Sequence, residues 1–294
     1  MFRSILIVLV VLSVSSVFAC TIDGTKGIVE DNNLWISPNA KNVSKIDEVE
    51  FNRVIDKVVK VYEPIIVAEG VKLKVERKWS DGTVNAFASR KWGKWVISMF
   101  GGLARHEAIT ADGFTLVVCH EIGHHIGGAP KKTKSMGRNG TRKRWATNEG
   151  QADYWATLKC LRKVWQGDNH ANILAEMEVP EVVSKKCESQ FSGTEQRLLC
   201  QRSAIAGLSV AKLFQTLRKE PKAPDFKTPD TNIVAKNYHN HPATQCRLDS
   251  YYHGALCSVS EFSDVDQEDA MAGNCNRADG EIIGGRPLCW FKPE

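Results

Sequence analysis

Ile46, Val49, Val54, Val58 and Val61 recur at intervals close to 3.6 between Ser44 and Tyr62, with charged residues filling the gaps. That spacing predicts an amphipathic helix, and Pro64 fits its end because proline has no N–H to continue the ladder. Three shorter runs follow: VKLKVERKW (71–79), TVNAFASR (83–90) and WVISMFGGL (95–103). They are rich in β-branched and aromatic residues and are separated by Ser-Asp-Gly and Lys-Trp-Gly, so three antiparallel strands are predicted. Asp112 can cap a helix from Gly113 towards Gly127, where paired glycines stop it. A second helix is predicted over 148–165. Ser192-Gly-Thr-Glu195 has the form of a capping box ahead of a long helix reaching Leu217. PKAPDFKTPD (221–230) is a Pro-rich connection, and Pro242 can open a helix ending near Leu256. The fold class implied is α+β, a small antiparallel sheet packed on a helical core.

The first residues do not belong to that fold. Arg3 precedes the apolar run Ile5–Leu12 and then SVSSVFAC, the form of a secretory signal peptide. Val17 and Ala19 suit a cut after Ala19, whereas the same residues followed by Cys20 resemble a bacterial lipoprotein box, with Phe18 bulkier than such boxes usually accept. A lipid anchor at Cys20 would leave eight of the nine cysteines, an even number suited to an oxidising compartment. Cys187 and Cys200 flank FSGT, and Cys275 and Cys289 flank a Gly-rich loop, so both pairs are candidate local bridges. Cys246 and Cys257 would lie roughly 16 Å apart on one helix, beyond the roughly 7 Å a disulfide spans. No later run approaches the ~18 apolar residues a membrane span needs. The expected organisation is a leader (1–19), a polar lead (20–42), one catalytic domain (43–260) and a Cys-containing tail (261–294). An exported protein follows, in the periplasm, on the outer envelope or secreted. With 294 residues and a net charge of +5, and no interleaved basic and aromatic pattern, no nucleic-acid partner is expected.

Chemistry concentrates in HEIGHHIGG, residues 120–128. Positions four apart share a helix face, so His120 and His124 can hold one Zn2+ at two tetrahedral corners. Glu121 is rotated by about 100° and can instead activate water as general base. Chance alone yields one HExxH in a chain this long on the order of 1% of the time. A third ligand is required. The metzincin pattern would place a histidine where Pro130 stands, which excludes that class. NEGQAD (148–153) is the better source: Glu149 would complete a His2Glu set, and Asp153, one turn on, could accept the other ring N–H of His120 and fix its tautomer. The plain alternative is a solvated acidic pair.

HExxH followed by ExxxD is the gluzincin arrangement, and two further segments narrow it. VNAFAS (84–89), a strand, a GG-L turn, the zinc helix and then His241-Pro242 with Arg247 resemble the order of elements in the HtpX-like and CaaX-prenyl-protease-like metallopeptidases, over about residues 45–258. The resemblance implies a zincin-like fold and a zinc endopeptidase acting on a polypeptide substrate. It further implies that Asn85, Ala86, Phe87 and Ala88 border the cleft where a peptide adds as a strand. His241 would stabilise the oxyanion, and Arg247 would brace that loop or pair with a carboxylate beneath the site. Many family members carry transmembrane helices and this chain has none, so a prenylated or intramembrane substrate is not expected. His125 lies off the metal face and is expected to pack or to be exposed. KKTKSMGRNGTRKRW (131–145) is read as a solvated loop, with a basic rim for acidic polypeptide or anionic lipid as its functional alternative. Two rivals stand beside the endopeptidase: a non-catalytic zinc-stabilised envelope chaperone or binding module, and a thermolysin-like secreted protease. Retention of Glu121 weighs against the first, and NAFA and HP…R against the second.

Overall fold

A computed structural model of the protein describes residues 26–41, 43–137 and 140–293; the expected leader and Cys20 lie outside the described residues. Helix α1 (Glu48–Ala68) starts where the Asp47 carboxylate accepts from the Glu50 N–H at 2.8 Å, a side-chain cap on an otherwise orphan donor. Phe51, Val54, Ile55, Val58, Tyr62 and Ile66 form its buried face, whereas Val49 is 76% exposed. The helix does not end at Pro64. It continues one turn because Ile66, fully buried, anchors the residues beyond the proline.

Strands β1 (Lys72–Lys78), β2 (Ala86–Lys91) and β3 (Lys94–Phe100) form a sheet of order β1-β3-β2. β2 and β3 are antiparallel, but β1 and β3 are parallel, which corrects the all-antiparallel expectation. The chain reverses direction twice between β1 and β3, so the third strand enters the middle of the sheet running as the first did. A tight turn then leads into α2 (Gly101–Arg105), where a Cβ on Gly101 would stand 1.9 Å from the Trp79 carbonyl.

Helix α3 (Ala111–Ile126) is capped by the Thr110 hydroxyl, which accepts from Gly113 N–H. Asp112, expected as the cap, instead sits inside the helix and pairs with Arg202 at 2.7 Å. Strands β4 (Lys131–Ser135) and β5 (Thr141–Thr147) make an antiparallel hairpin, so the basic stretch is paired strand rather than the loop expected, although residues 133–137 and 140–143 are exposed. Buried Lys131, Ala146 and Thr147 hold its base, and Gly137 and Gly140 supply positive φ near its tip. Asn148 then caps α4 (Glu149–Trp155), accepting from Gln151 N–H at 2.9 Å. The helix runs on through a wider π turn (Ala156–Cys160) into α5 (Leu161–Val164). Three helices, α6 (His170–Ala175), α7 (Glu181–Gln190) and α8 (Thr194–Arg218), precede α9 (Thr244–Leu256). Gly193, with no side chain to offer, stands at the α8 N-cap in place of the predicted capping box.

One apolar core joins Phe51 and Val58 of α1, Ala86, Ile97 and Met99 of the sheet, Phe114 and Val118 of α3, and Val210 and Phe214 of α8. α3 lies at its centre and is buried from Asp112 to His125. Four disulfides cross the fold: Cys119–Cys160, Cys187–Cys200, Cys246–Cys289 and Cys257–Cys275. Cys187–Cys200 is as expected, and Cys246 does not meet Cys257. The expected Cys275–Cys289 bridge does not form, because the two ends of α9 each take one tail cysteine. The tail is thereby fastened over α4, with Trp290 fully buried against Gly150. Four disulfides mark a protein of an oxidising, non-cytoplasmic compartment. Among the described residues, no helix is long and apolar enough to cross a membrane.

Candidate metal centre

The i,i+4 spacing on α3 sets the imidazoles of His120 and His124 side by side, with centroids 4.6 Å apart and planes nearly perpendicular. Glu149, the first residue of α4, comes up against both. Its Oε2 lies 3.2 Å from His120 Nε2 and 3.7 Å from His124 Nε2. One ligand atom from each of the three lies within 4.8 Å of the others, and all three residues are fully buried. His124 Nδ1 donates to the Thr147 carbonyl at 2.8 Å, and His120 Nδ1 lies 2.7 Å from the Asp153 carboxylate. Both rings therefore commit their Nδ1 protons outward and turn their Nε2 atoms towards one point, where a metal would displace any proton they carry. This is the orientation a metal needs.

Apart from one another, His120 Nε2, His124 Nε2 and Glu149 Oε2 are buried without a hydrogen-bond partner. Orphaned polar atoms in a native interior call for an explanation, and three on one point form a group that could hold a cation. Two imidazole nitrogens and a carboxylate oxygen are a donor set that suits zinc. Burial raises the Glu149 carboxyl, but Lys132, His241 and His124 outweigh it and hold the group well below the usual range. Burial likewise opposes a charge on His120, and Asp153 reverses this, raising it to about 9; a metal must displace that proton. Burial, helped by the charges of His120 and Lys132, drives His124 well below the ordinary histidine value against the opposing pull of Glu149.

Glu121 is fully buried with both carboxylate oxygens unpartnered. Burial pushes its carboxyl up to about 8, while His120 draws it down and Glu149 pushes it further up. Beneath the site, Arg247 grips Asp153 with two hydrogen bonds, 2.7 and 2.8 Å, and its guanidinium lies 4.0 Å over the Phe214 ring. The chain Arg247–Asp153–His120 links α9, α4 and α3. His241 Nε2 lies 3.5 Å from Glu149 Oε1 and donates to the Gly27 carbonyl at 2.8 Å. His125 is buried off the metal face, stacked between Trp95 and Trp145.

Two features escaped the sequence. Lys132, on β4, bonds Glu149 Oε1, and the only signal for it was the basic run between the ligand helices. The second is the N-terminal segment. The Ile28 N–H donates to the Ala86 carbonyl at 3.0 Å, Asn85 bonds the Val29 backbone in both directions, and Arg247 donates to the Ile28 carbonyl. Asn85, Ala86 and Ala88 are buried and Phe87 packs on Phe100. At Ala86 the edge expected to receive a peptide is therefore taken by the chain's own residues. A second cluster, Asp230 with Cys246 and Cys289, offers no metal site because those cysteines form a disulfide.

Compared with protein-family models, curated proteins and solved structures, the chain gives no match. What stands on the residues themselves is a buried group, His120, His124 and Glu149, that can hold a metal ion.

Proposed function

We propose that the protein is a zinc-dependent endopeptidase with a zincin-like arrangement, hydrolysing peptide bonds without a covalent intermediate. The observation that carries this is the convergence of three orphaned donor atoms beside a buried, unpartnered Glu121. A structural metal site needs ligands but no base. His120, His124 and Glu149 would hold zinc, which would supply Lewis acidity towards a scissile carbonyl and acidify water. Glu121 takes the proton of the attacking water and passes it to the leaving amine, a task suited by a buried carboxylate with no other partner. Asp153, itself clamped by Arg247, holds the His120 ring in register. Lys132 and His241 flank Glu149 and bring N–H donors to the side where an oxyanion develops. His241 becomes available only once the Gly27 carbonyl withdraws from its Nε2.

The occupied edge at Ala86 favours a second reading, a zinc-stabilised module that binds without cutting. One experiment separates the two. The full chain is incubated with casein or a peptide library, with and without chelator, beside Glu121→Gln. Cleavage that is lost on chelation, restored by zinc, and about 10²–10⁴-fold slower in the variant supports the peptidase. Wild type and variant equally inert while both bind zinc supports the module.

A further inference from the structure

The β2–β3 turn is built against its own stability. Its two loop residues, Trp92 and Gly93, have φ of 53° and 70°, the left-handed pair of a type I′ turn, for which Asn-Gly is the favoured sequence. A bulky residue at positive φ is an outlier that surroundings usually have to enforce, yet Trp92 is 97% exposed. Nothing packs on it to hold it there. The pair closing the turn is Lys91 opposite Lys94, and Lys94 in turn faces Lys72 on β1. Register partners share a sheet face, so three like charges stand in a row, an arrangement that disfavours pairing. The next lysines along β1, Lys74 and Lys78, both pair with Glu76, at 2.9 and 3.6 Å. Lys72, Lys91 and Lys94 have no carboxylate within ion-pair distance among the described residues. α1 ends at this same end of the sheet, with Val67 54% exposed.

We propose that this tip docks the protein onto an anionic bilayer surface, Trp92 entering the headgroup layer and Lys72, Lys91 and Lys94 engaging lipid phosphates. Indole rings prefer the membrane–water interface, where an apolar body meets a wet edge. Lysine stems lie along apolar surface while their ammonium groups stay with the phosphates. A stable protein interface buries roughly 800 Å² per partner in a complementary surface. A bilayer requires no such complementary surface. Backbone strain and charge crowding left standing in an otherwise consistent fold mark a functional feature.

The test is co-sedimentation of residues 20–294 carrying Cys20→Ser, so that neither the apolar run Ile5–Leu12 nor an acyl chain contributes, with vesicles of phosphatidylcholine alone or mixed with phosphatidylglycerol. The protein should partition onto the mixed vesicles and be released by salt. Each of Lys72→Gln, Lys91→Gln and Lys94→Gln should weaken partitioning about fivefold. Trp92→Asn restores the favoured turn sequence, so its melting temperature should hold or rise while partitioning falls about tenfold. Brominated lipid should quench tryptophan emission of the parent chain and not of Trp92→Asn. Equal partitioning of parent and Trp92→Asn, quenching that survives that substitution, or equal affinity for neutral and anionic vesicles would overturn the proposal. So would capture of the tip by a protein without any partition into vesicles.

Discussion

Removing one disulfide, Cys119–Cys160, should loosen the metal centre more than removing another. Cys119 immediately precedes His120, and Cys160 lies in the π turn that continues the Glu149 helix, so the bridge ties the two ligand-bearing helices together. It closes a loop of 41 residues, and the chain-entropy relation gives about 13 cal/mol/K, or ~4 kcal/mol at 25 °C. Cys187–Cys200 closes 13 residues, for which the same relation gives ~3 kcal/mol. The perturbations are the double variants Cys119→Ala/Cys160→Ala and Cys187→Ala/Cys200→Ala, alanine being chosen because all four sites are buried. Urea unfolding followed by circular dichroism, in chelator and in saturating zinc, gives both quantities. The first variant should lose more stability than the second and bind zinc more weakly, whereas the second should keep parental affinity. Zinc at about a thousand times Kd should return ~4 kcal/mol to any form whose site is intact. Equal zinc affinity in the two double variants would refute the idea that this bridge aligns the ligand helices.

Asp153→Asn should reduce zinc affinity about 10–100-fold in a competition titration, since it removes the carboxylate charge that orients and polarises His120. Arg247→Met strands the buried Asp153 carboxylate and should lower unfolding free energy by about 3–5 kcal/mol in urea; adding Asp153→Asn to it should recover part of that loss. Burial, then Arg90, drive the His125 pKa down to about 3 from an ordinary 6.5, so it folds neutral. The unfolded chain binds that proton first, so stability falls as pH drops from about 6.5 towards 3. His125→Phe should flatten the dependence of melting temperature on pH over this window in zinc-free protein. Gly150→Ala would place a Cβ 2.2 Å from the Trp290 ring; a loss of about 1–3 kcal/mol, with increased protease sensitivity of the tail, is expected.

The ligand helices were legible because their signals are local. HExxH and ExxxD fix which side chains share a face, and Asn148 and the paired glycines mark the ends. Pairing of β1 with β3 was not legible, because strand order depends on where the chain re-enters the sheet and no residue in β1 records it. The β4–β5 hairpin was missed for a different reason. Its lysines, arginines and threonines carry no apolar alternation, and only its base is buried. Lys132 was hidden with it. Disulfide choice failed where local proximity along the chain competed with the geometry of α9: Cys275 and Cys289 are near in sequence, but each faces an opposite end of that helix. The N-terminal segment looked like a polar lead because IleVal at 28–29 is too short a run to register as an element.

That short run has custody of more than its own position. Gly27, Ile28 and Val29 fasten on β2, on His241 and on Arg247 together. A tag fused close to residue 26, or a protease nick at this point, would strike the sheet border, the helix-opening histidine and the arginine clamp in a single event. Preparations differing by a handful of residues at this point should therefore behave as different proteins, and an intact segment over residues 26–29 belongs to any measurement made on the candidate metal centre.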